Sequence, residues 1–361
     1  MSETKRRASA LVLAVMIFGL ALWHALLPDA ALSRAERRRL QQLPALSWES
    51  VRSGAYGDEL ECYLLDQFPL REQLLELRAF LQLRLLHQSD LDGVYLGDGG
   101  AAEIIPAWDW DQVDYFAAKM RAAAALFDRP RVFCAVVPDK GFYMAQAHGL
   151  PAADYAALQA RLRAGLPDAA FVDLFPLLTL ADYYRTDPHW RQEALEPVAA
   201  AVLTAMGTAP GDFERVPHTL SPFYGAYCGR ALGLRPETLT YLTSPVTGQA
   251  QVSSAEQSGS LSVYPQDRFG GMDGYDVFLY GAQALMTLEN PLSHSGRELV
   301  VFRDSFGSSL APLLLEGYDR VTLVDLRYLD LDYLPQLLAC GSQDVLFLYS
   351  AGLINTARIL R

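Results

Sequence analysis

Continuous runs of apolar and β-branched residues recur along the chain, and helical patterns lie between them. Four runs are the clearest: RVFCAVVP (131–138), ELVVFRDS (298–305), RVTLVDL (320–326) and DVLFLYS (344–350). A strand with apolar residues on both sides is buried on both faces, as in a parallel sheet covered by helices. The alternation of such strands with helices therefore predicts an α/β fold with a mostly parallel sheet.

Shorter segments extend the same alternation. We predict further strands in LDGVYLGDGG (91–100), AFVDL (170–174) and DVFLYG (276–281). Helices are expected at about 111–127, at 152–165, after Trp190, and at 307–316, 331–339 and 350–360. Between about 240 and 274 the chain is polar and rich in Gly, Ser and Gln, which predicts an insertion near one end of the sheet.

The N-terminus carries a basic cluster, Lys5 to Arg7, and then an apolar run from Leu11 to Leu27. A run of this length is at the short end of a bilayer span, about 17–25 residues. It is slightly longer than the core of a signal peptide, about 7–15 residues. A retained anchor is favoured over a cleaved signal. In both cases the positive-inside rule places the chain after Leu27 outside the cytoplasm.

Residues 29–90 are charged, rich in leucine and helical in period. In CYLLDQFPLREQLLELRAFLQLRLLH (62–87) leucines recur at three- and four-residue spacings, with one break at Pro69. Such a segment after an anchor predicts a juxtamembrane stalk, or a collar packed on the main domain. The predicted domains are 1–28 (basic tail with anchor or signal), 29–90 (helical collar) and 91–361 (main α/β domain).

Charge and cysteine spacing exclude several classes of function. A net charge of −12 and a pI near 5.0 argue against nucleic-acid binding, because the phosphates require clustered Lys and Arg. The four cysteines contain no CxxC pair, and the chain has no metal-ligand spacing and no phosphate-binding glycine loop. We therefore expect neither a metal nor a cofactor.

The stretch TDPHW (186–190) places Asp187 and His189 two residues apart. One interpretation is a helix start, with Asp187 as the cap and Pro188 at the first helical position. The other is catalytic, because a carboxylate beside a histidine can orient the imidazole as a general base. Taken alone, the stretch favours the helix start.

A second stretch, ELVVFRDSFGSSLAPLLL (298–315), changes this balance. It passes from an apolar strand through Ser305 directly into a helical pattern. A serine at such a turn points its hydroxyl out at the carboxyl end of the sheet, where open α/β folds bind ligands. The alternative is a helix cap supplied by Asp304 or Ser305. As a nucleophile, Ser305 would need a base, and His189 with Asp187 would supply one.

Several motifs give the chain a resemblance to a known family. TDPHW resembles the signature of the DHHW protein family, with Pro188 in place of the first histidine. Further strings follow in the order that this family shows: SRAERRRLQQLP, DQFPLR, VYLG, VPDK, SPFYGAY, DVFLYG, FRDSFGSSLAPLL and VDLRY. The family belongs with the SGNH-hydrolase-like proteins of bacterial exopolysaccharide O-acetylation, such as alginate acetylation.

The resemblance implies a three-layer, flavodoxin-like SGNH fold with an N-terminal transmembrane helix. It implies a triad of Ser305 as nucleophile, His189 as base and Asp187 as its orienting partner. The serine follows the Asp-x-His pair, whereas ordinary SGNH hydrolases have the reverse order, so the motifs are circularly permuted. The resemblance also implies a cell-surface polysaccharide as acceptor and a membrane-bound O-acyltransferase partner as acetyl donor.

One position departs from the family's pattern. SGNH enzymes pair a Gly with an Asn as oxyanion donors, and the expected place holds Gly281, Ala282 and Gln283. Gly281 would offer its backbone N–H and Gln283 its side chain, but the Asn amide is missing. The loss of one such donor typically lowers turnover by about 10²–10³.

Three further residues are candidates for substrate contact. Lys140, just past a strand end, would bind a sugar or an anion, or else be a solvated loop lysine. Arg303, two residues before the nucleophile, would bind a carboxylated substrate, although a salt bridge to Asp304 or Asp325 is favoured. Tyr328 in VDLRY follows a strand end and would line the cleft.

The residues and the resemblance together predict an extracytoplasmic O-acetyltransferase or acetylesterase that acts on a cell-surface polysaccharide. The choice between the two depends on whether sugar or water accepts the acetyl group, which the sequence leaves open. A catalytically degenerate glycan-binding scaffold is the alternative, and Ala282 favours it. The complete set of Asp187, His189 and Ser305 favours the enzyme.

The charge pattern of the N-terminus predicts the topology of the chain. A reporter enzyme fused after Arg361 should be active only outside the cytoplasm. Protease added outside intact cells should digest the chain after about residue 30. A C-terminal reporter that works in the cytoplasm would refute the predicted export.

Overall fold

The structure is a computed structural model that describes residues 3–33, 36–230 and 233–361. The chain divides into two compact units. Unit 1 comprises Met1–Leu91 and Cys228–Gly233, and unit 2 comprises Asp92–Tyr227 and Leu234–Arg361.

Unit 1 contains the N-terminal helix and the leucine-rich segment. Its helices and strands are α1 (Glu3–Leu26), β1 (Leu32–Ser33), β2 (Arg38–Arg39), α2 (Trp48–Ser53), α3 (Ala55–Asp66), α4 (Arg71–Phe80) with a following π-helical turn (Leu81–Leu85), and β3 (Asp90–Leu91). The segment Lys5–Leu26 of α1 has 22 residues, and its most apolar window has a mean hydropathy of 2.1. No part of that window is buried. The length and composition of α1 suit a membrane span, and its N-terminal position also suits a signal sequence.

Unit 2 contains the alternating strands and helices. Its strands are β4 (Val94–Gly97), β5 (Gly100–Glu103), β6 (Val132–Val137), β7 (Ala170–Phe171), β8 (Val216–Phe223), β9 (Glu237–Thr243), β10 (Gln251–Ser254), β11 (Leu285–Glu289), β12 (Glu298–Arg303), β13 (Arg320–Val324) and β14 (Asp344–Ser350). Its α-helices are α5 (Trp110–Ala124), α6 (Lys140–His148), α7 (Tyr155–Gly165), α8 (Glu196–Ala205), α9 (Pro245–Gln249), α10 (Phe306–Leu314), α11 (Leu334–Leu337) and α12 (Ala351–Ile354).

A seven-stranded sheet in the order β10-β11-β13-β12-β14-β6-β7 forms the centre of unit 2. From β13 to β7 every neighbouring pair is parallel, and only the β10–β11 and β11–β13 pairs are antiparallel. The mostly parallel sheet predicted from the apolar runs is therefore confirmed.

The two faces of the sheet are buried in different apolar clusters. In β12, Leu299 and Val301 belong to one cluster, with residues of α8 and α10. Val300 and Phe302 belong to the other, with residues of α5 and α7. Because strand side chains alternate between faces, this division defines three layers: helices, sheet and helices. The predicted three-layer α/β architecture is confirmed.

The strand predicted in DVFLYG (276–281) is wrong. The segment forms a 3-10 helix (Gly274–Val277), and Leu279, Tyr280 and Gly281 then adopt left-handed backbone angles, with φ of 55°, 61° and 71°. Val277, Phe278 and Leu279 are fully buried in the core as parts of this turn rather than of a strand. A buried turn and a buried central strand are both rich in apolar residues. Hydrophobic periodicity does not distinguish the two when the apolar run is this short.

Candidate active site

Ser305 lies between the end of β12 and the start of α10, at the carboxyl edge of the parallel strands. The carboxylate of the preceding residue, Asp304, accepts hydrogen bonds from the N–H groups of Phe306 (3.1 Å) and Ser350 (2.8 Å). Asp304 thereby fixes the turn to the neighbouring strand β14 and satisfies the first turn of α10. The Ser305 side chain makes no capping hydrogen bond, so the cap interpretation of Ser305 is wrong.

Asp187 and His189 lie in a bent loop, not at a helix start. The loop is closed by a bridge between Tyr183 and Trp190. The next α-helix, α8, begins only at Glu196 and has a proline in its first turn. The helix-start interpretation is therefore wrong, because the proline that opens the helix is Pro197 rather than Pro188.

The structure brings Asp187, His189 and Ser305 into one hydrogen-bonded chain. His189 Nδ1 lies 2.5 Å from Asp187 Oδ1, and His189 Nε2 lies 2.7 Å from Ser305 Oγ. A carboxylate can only accept, so the Nδ1 atom carries the proton and Nε2 is left to accept from the serine hydroxyl. Asp187 is fully buried, and its second oxygen accepts from the Ala226 N–H at 2.8 Å. This geometry suits proton transfer from Ser305 to His189.

A single carboxylate holds the backbone that precedes Asp187. Glu237, the first residue of β9, accepts hydrogen bonds from the Thr186 N–H and hydroxyl, both at 2.7 Å, and from the Arg185 N–H at 3.0 Å. Its charge is balanced by the Arg191 guanidinium at 3.1 Å. The loop that carries the Asp-x-His pair is therefore fixed by charge-assisted hydrogen bonds to a distant strand.

Lys140 supports the same loop from inside the protein. It is 2% exposed, and its ammonium donates to the carbonyls of Ala101 (2.6 Å), Tyr184 (2.6 Å) and Arg185 (3.0 Å). Burial lowers the pKa of Lys140 to about 7. Both predictions for Lys140 are wrong, since it is neither a solvated loop residue nor exposed to a substrate.

Aromatic side chains enclose the imidazole of His189. The Tyr275 ring stacks on it, with centroids 3.9 Å apart and planes 12° apart, and the Phe306 ring lies 4.8 Å away. The Tyr275 hydroxyl and Trp190 Nε1 each donate to Ser309 Oγ at 2.8 Å. Burial raises the pKa of Tyr275, so this hydroxyl stays protonated at neutral pH.

Gly281 and Gln283, the predicted oxyanion donors, are engaged elsewhere. The Gly281 N–H donates to the Phe278 carbonyl at 3.1 Å within the left-handed turn. The Gln283 amide is 7% exposed and bonds to Ser254, Tyr280 and Ala282. Both expectations are therefore corrected, because neither group has a spare donor to offer beside Ser305. Within the described part of the chain, the Ser305 N–H itself has no acceptor.

Arg303 and Tyr328 differ in their exposure. Arg303 is fully buried; its guanidinium lies 3.8 Å from the Asp325 carboxylate and donates to the Gly281 carbonyl at 3.2 Å. The favoured salt bridge is confirmed, and the substrate-binding role of Arg303 is wrong because the group has no access to solvent. Tyr328 is 51% exposed, and the Arg327 guanidinium lies over its ring. Its role in a cleft stays a prediction.

Sequence reasoning missed Ala226, Glu237 and Tyr275, which complete the surroundings of the Asp-x-His pair. Ala226 lies in SPFYGAY, a string that carried the family resemblance and so offered a signal. Glu237 and Tyr275 lie in segments with no motif. Their contributions depend on contacts with distant residues, which composition and periodicity do not encode.

No family model matches the chain, and no curated protein matches its sequence. Its fold is similar to that of a DHHW family protein from Eubacterium siraeum, with 20% identity, coverage of 72% of this chain and 91% of that chain, and a TM-score of 0.55. It is also similar to Bacillus cereus PatB1 with a sulfonyl adduct, with 16% identity, coverage of 72% and 95%, and a TM-score of 0.57. The O-acetyltransferase domain of Pseudomonas putida AlgJ is more distant, with 15% identity, coverage of 73% and 92%, and a TM-score of 0.43.

The two similarities with TM-scores above 0.5 establish the α/β fold that the sequence predicts. The solved structures with this fold include a protein of the family that the motifs resemble. The catalytic roles of Ser305, His189 and Asp187 stay predictions, which the hydrogen-bonded geometry motivates.

The substitution Gly225→Ala tests whether the position of Asp187 determines the reactivity of the Ser305 hydroxyl. A Cβ atom at Gly225 would lie 2.2 Å from the Thr186 carbonyl oxygen and 2.6 Å from Asp187 Cβ. Gly225→Ala must therefore displace the loop, and we expect Ser305 to react with an organic sulfonyl fluoride about 10²-fold more slowly. Intact-mass spectrometry over time gives this rate, and circular dichroism verifies folding.

Gly248→Ala is the matched control, because a Cβ atom there meets nothing within 4 Å and it lies in α9. It should react at the native rate. Equal rates for Gly225→Ala and the native protein would contradict the dependence on Asp187.

Proposed function

We propose that the chain is a membrane-anchored, extracytoplasmic O-acetyltransferase or acetylesterase that acts on a cell-surface polysaccharide through an acetyl-Ser305 intermediate. The observation that carries the proposal is the hydrogen-bonded chain from Asp187 through His189 to Ser305. It lies at the carboxyl edge of a mostly parallel sheet, where open α/β folds bind their ligands.

In the first half-reaction the acetyl group moves from a donor ester to the serine. Ser305 Oγ bonds to the acetyl carbonyl carbon while its proton passes to His189 Nε2. Asp187 stabilises the resulting imidazolium through the Nδ1–H. When the tetrahedral intermediate collapses, the bond to the donor oxygen breaks and His189 returns the proton to that oxygen.

In the second half-reaction a hydroxyl group of the polysaccharide, or water, accepts the acetyl group. Its oxygen attacks the carbonyl carbon of acetyl-Ser305, and its proton passes to His189 Nε2. Collapse breaks the bond to Ser305 Oγ, which recovers a proton from His189. With a sugar acceptor the net reaction is transfer, and with water it is hydrolysis.

The oxyanion of each intermediate needs donors beside Ser305. The N–H of Ser305 is the candidate that the geometry favours, since it has no acceptor among the described residues. The Gly281 N–H and the Gln283 amide are occupied, and the side chain at position 282 is only a methyl group. We therefore infer an oxyanion site without the side-chain amide that SGNH enzymes have, and a correspondingly slow enzyme.

The substrate class and location rest on the motif resemblance and the N-terminal helix. DHHW-like proteins belong with exopolysaccharide O-acetylation, which suggests acetyl as the group and a membrane-bound O-acyltransferase as its source. Helix α1 is long and apolar enough to hold the chain in the membrane, with unit 2 outside.

A glycan-binding scaffold without catalysis is the second candidate function. The observation in its favour is Ala282 together with the occupied Gln283 amide. In such a protein, Ser305 and His189 would line a binding surface for acetylated sugars without forming an ester.

An acylation experiment separates the two candidates. The purified chain, given an activated acetyl ester, should release the leaving group slowly and gain one acetyl on the peptide that contains Ser305. Ser305→Ala should abolish both signals, and His189→Ala should lower the rate by about 10²–10⁴, the usual contribution of a general base.

Ser308→Ala is the matched control for this experiment. Ser308 is fully buried, and its hydroxyl has no partner in the described ranges, so its loss should leave acylation unchanged. If Ser305→Ala preserves polysaccharide acetylation in cells while deletion of the whole chain abolishes it, the scaffold function is correct.

The depleted oxyanion site gives a directional prediction. Ala282 is exposed, so Ala282→Asn adds an amide without disturbing the core. If the amide reaches the oxyanion, the acylation rate should rise by up to about 10²-fold, the typical value of one donor. Ala282→Leu adds similar bulk with no donor and should not raise the rate. An equal effect of both variants would contradict this explanation.

A further inference from the structure

The collar, residues 29–90, exposes an unusual number of large apolar side chains. Outside α1, most of the large apolar residues that the structure describes as exposed lie between Leu43 and Leu86. Trp48 is 82% exposed and Leu46 is 73% exposed. A concentration of this kind marks a surface that contacts something other than water.

Three of these side chains form one stripe along α4 and the start of the π-helical turn that follows it. Leu74, Leu77 and Leu81 are 49%, 51% and 39% exposed. Their spacing of three and four residues places them on a single face of the helical segment. Glu72 and Glu76 are also exposed and lie on the other side, so α4 has an apolar face and a charged face.

Two carboxylates of the collar are largely buried in ion pairs. The Asp66 side chain is 11% exposed and pairs with the Arg38 guanidinium at 2.6 Å. The Glu36 side chain is 12% exposed and pairs with Arg71 at the start of α4. These two carboxylates are largely buried while leucines of the same segment are exposed. Exposed leucines suit contact with hydrocarbon more than contact with water.

The collar is fastened to the end of α1. The Tyr63 ring in α3 packs edge-on against His24 in α1, with centroids 5.4 Å apart, and its hydroxyl donates to Asp29 at 3.0 Å. The Gln67 amide exchanges two hydrogen bonds of 2.9 Å with the backbone of Ala30. The exposed leucines therefore belong to the same compact unit as the apolar helix.

We propose that the collar lies in the outer interface of the membrane, with the face formed by Leu74, Leu77 and Leu81 among the lipid acyl chains. This inference rests on the proposed membrane anchorage of α1. Lipid is the occupant that the geometry favours, since α1 itself is exposed along its apolar length and the collar is attached at its end. Amphipathic helices bind membranes in the plane of the interface in this way.

Nitroxide collision measurements on the full-length chain in phosphatidylethanolamine–phosphatidylglycerol liposomes test the proposal. Cys62→Ser and Cys340→Ser remove the thiols that are not buried. Single labels are then attached through Leu77→Cys, through Glu76→Cys as the matched control on the charged side, and through Ile17→Cys within α1. Oxygen enters the acyl region, whereas a nickel chelate stays in water.

We expect the labels at positions 77 and 17 to collide mainly with oxygen, and the label at 76 mainly with nickel. The nickel collision rate at 77 should be about tenfold below that at 76, because polar solutes are excluded from hydrocarbon. A label through Leu81→Cys gives a second measurement if the chain labelled at 77 does not fold.

Three results would overturn the proposal. Nickel access at 77 equal to that at 76 would place the face in water. Protection of 77 from both reagents would show that protein covers it. In both cases an oxygen-accessible label at 17 would leave the membrane anchorage intact. A label at 17 outside the lipid would instead refute the anchorage, and with it this inference.

Discussion

The hydrogen bond between Ser305 Oγ and His189 Nε2 joins two segments that are 116 residues apart, and much of unit 2 is arranged so that it forms. The serine side is fixed by the sheet, since β12 is paired on both sides and Asp304 ties its end to β14. His189 lies in an irregular loop that belongs to no helix or strand. Buried polar contacts, rather than strand pairing, fix the position of this loop.

Burial of any one of these charged groups without its partners would destabilise the fold, whereas the groups stabilise it when they are buried with their hydrogen-bond partners. Asp187, Lys140 and Glu237 are all removed wholly or largely from water, and a buried charge destabilises a fold unless hydrogen bonds or an opposite charge compensate it. Here each charge receives two or more partners, most of them backbone groups of residues 184–187 or their neighbours. The same bonds that compensate the charges also fix the backbone, so the loop becomes rigid and the imidazole is already oriented before any substrate binds.

The sequence predicts the parts of this arrangement that leave a local pattern. Strands β6, β12, β13 and β14 are buried on both faces and therefore have continuous apolar runs, and Ser305 directly follows such a run. The rest depends on contacts that no local pattern records. Lys140 lies in a sequence typical of a solvated loop, yet it is buried and donates hydrogen bonds to three backbone carbonyls. The turn at 279–281 has the apolar sequence expected of a buried strand. Glu237 acts on a loop some 50 residues away, so only the tertiary structure places it at the site.

The buried hydrogen bonds around Asp187, His189 and Ser305 help to decide between an enzyme and a scaffold. A surface that only bound a glycan would need exposed donors and aromatic faces, and it would have no need of a fully buried carboxylate aligned on a histidine. Burial of Asp187 with its backbone donor and its imidazole partner is useful mainly if the imidazole must become charged, which happens when it takes a proton from Ser305. In the proposed mechanism, the loss of one oxyanion donor lowers the rate of that step without removing it, because Ser305 and His189 remain in contact. These contacts therefore favour the proposed slow acyl-transfer enzyme over the proposed scaffold.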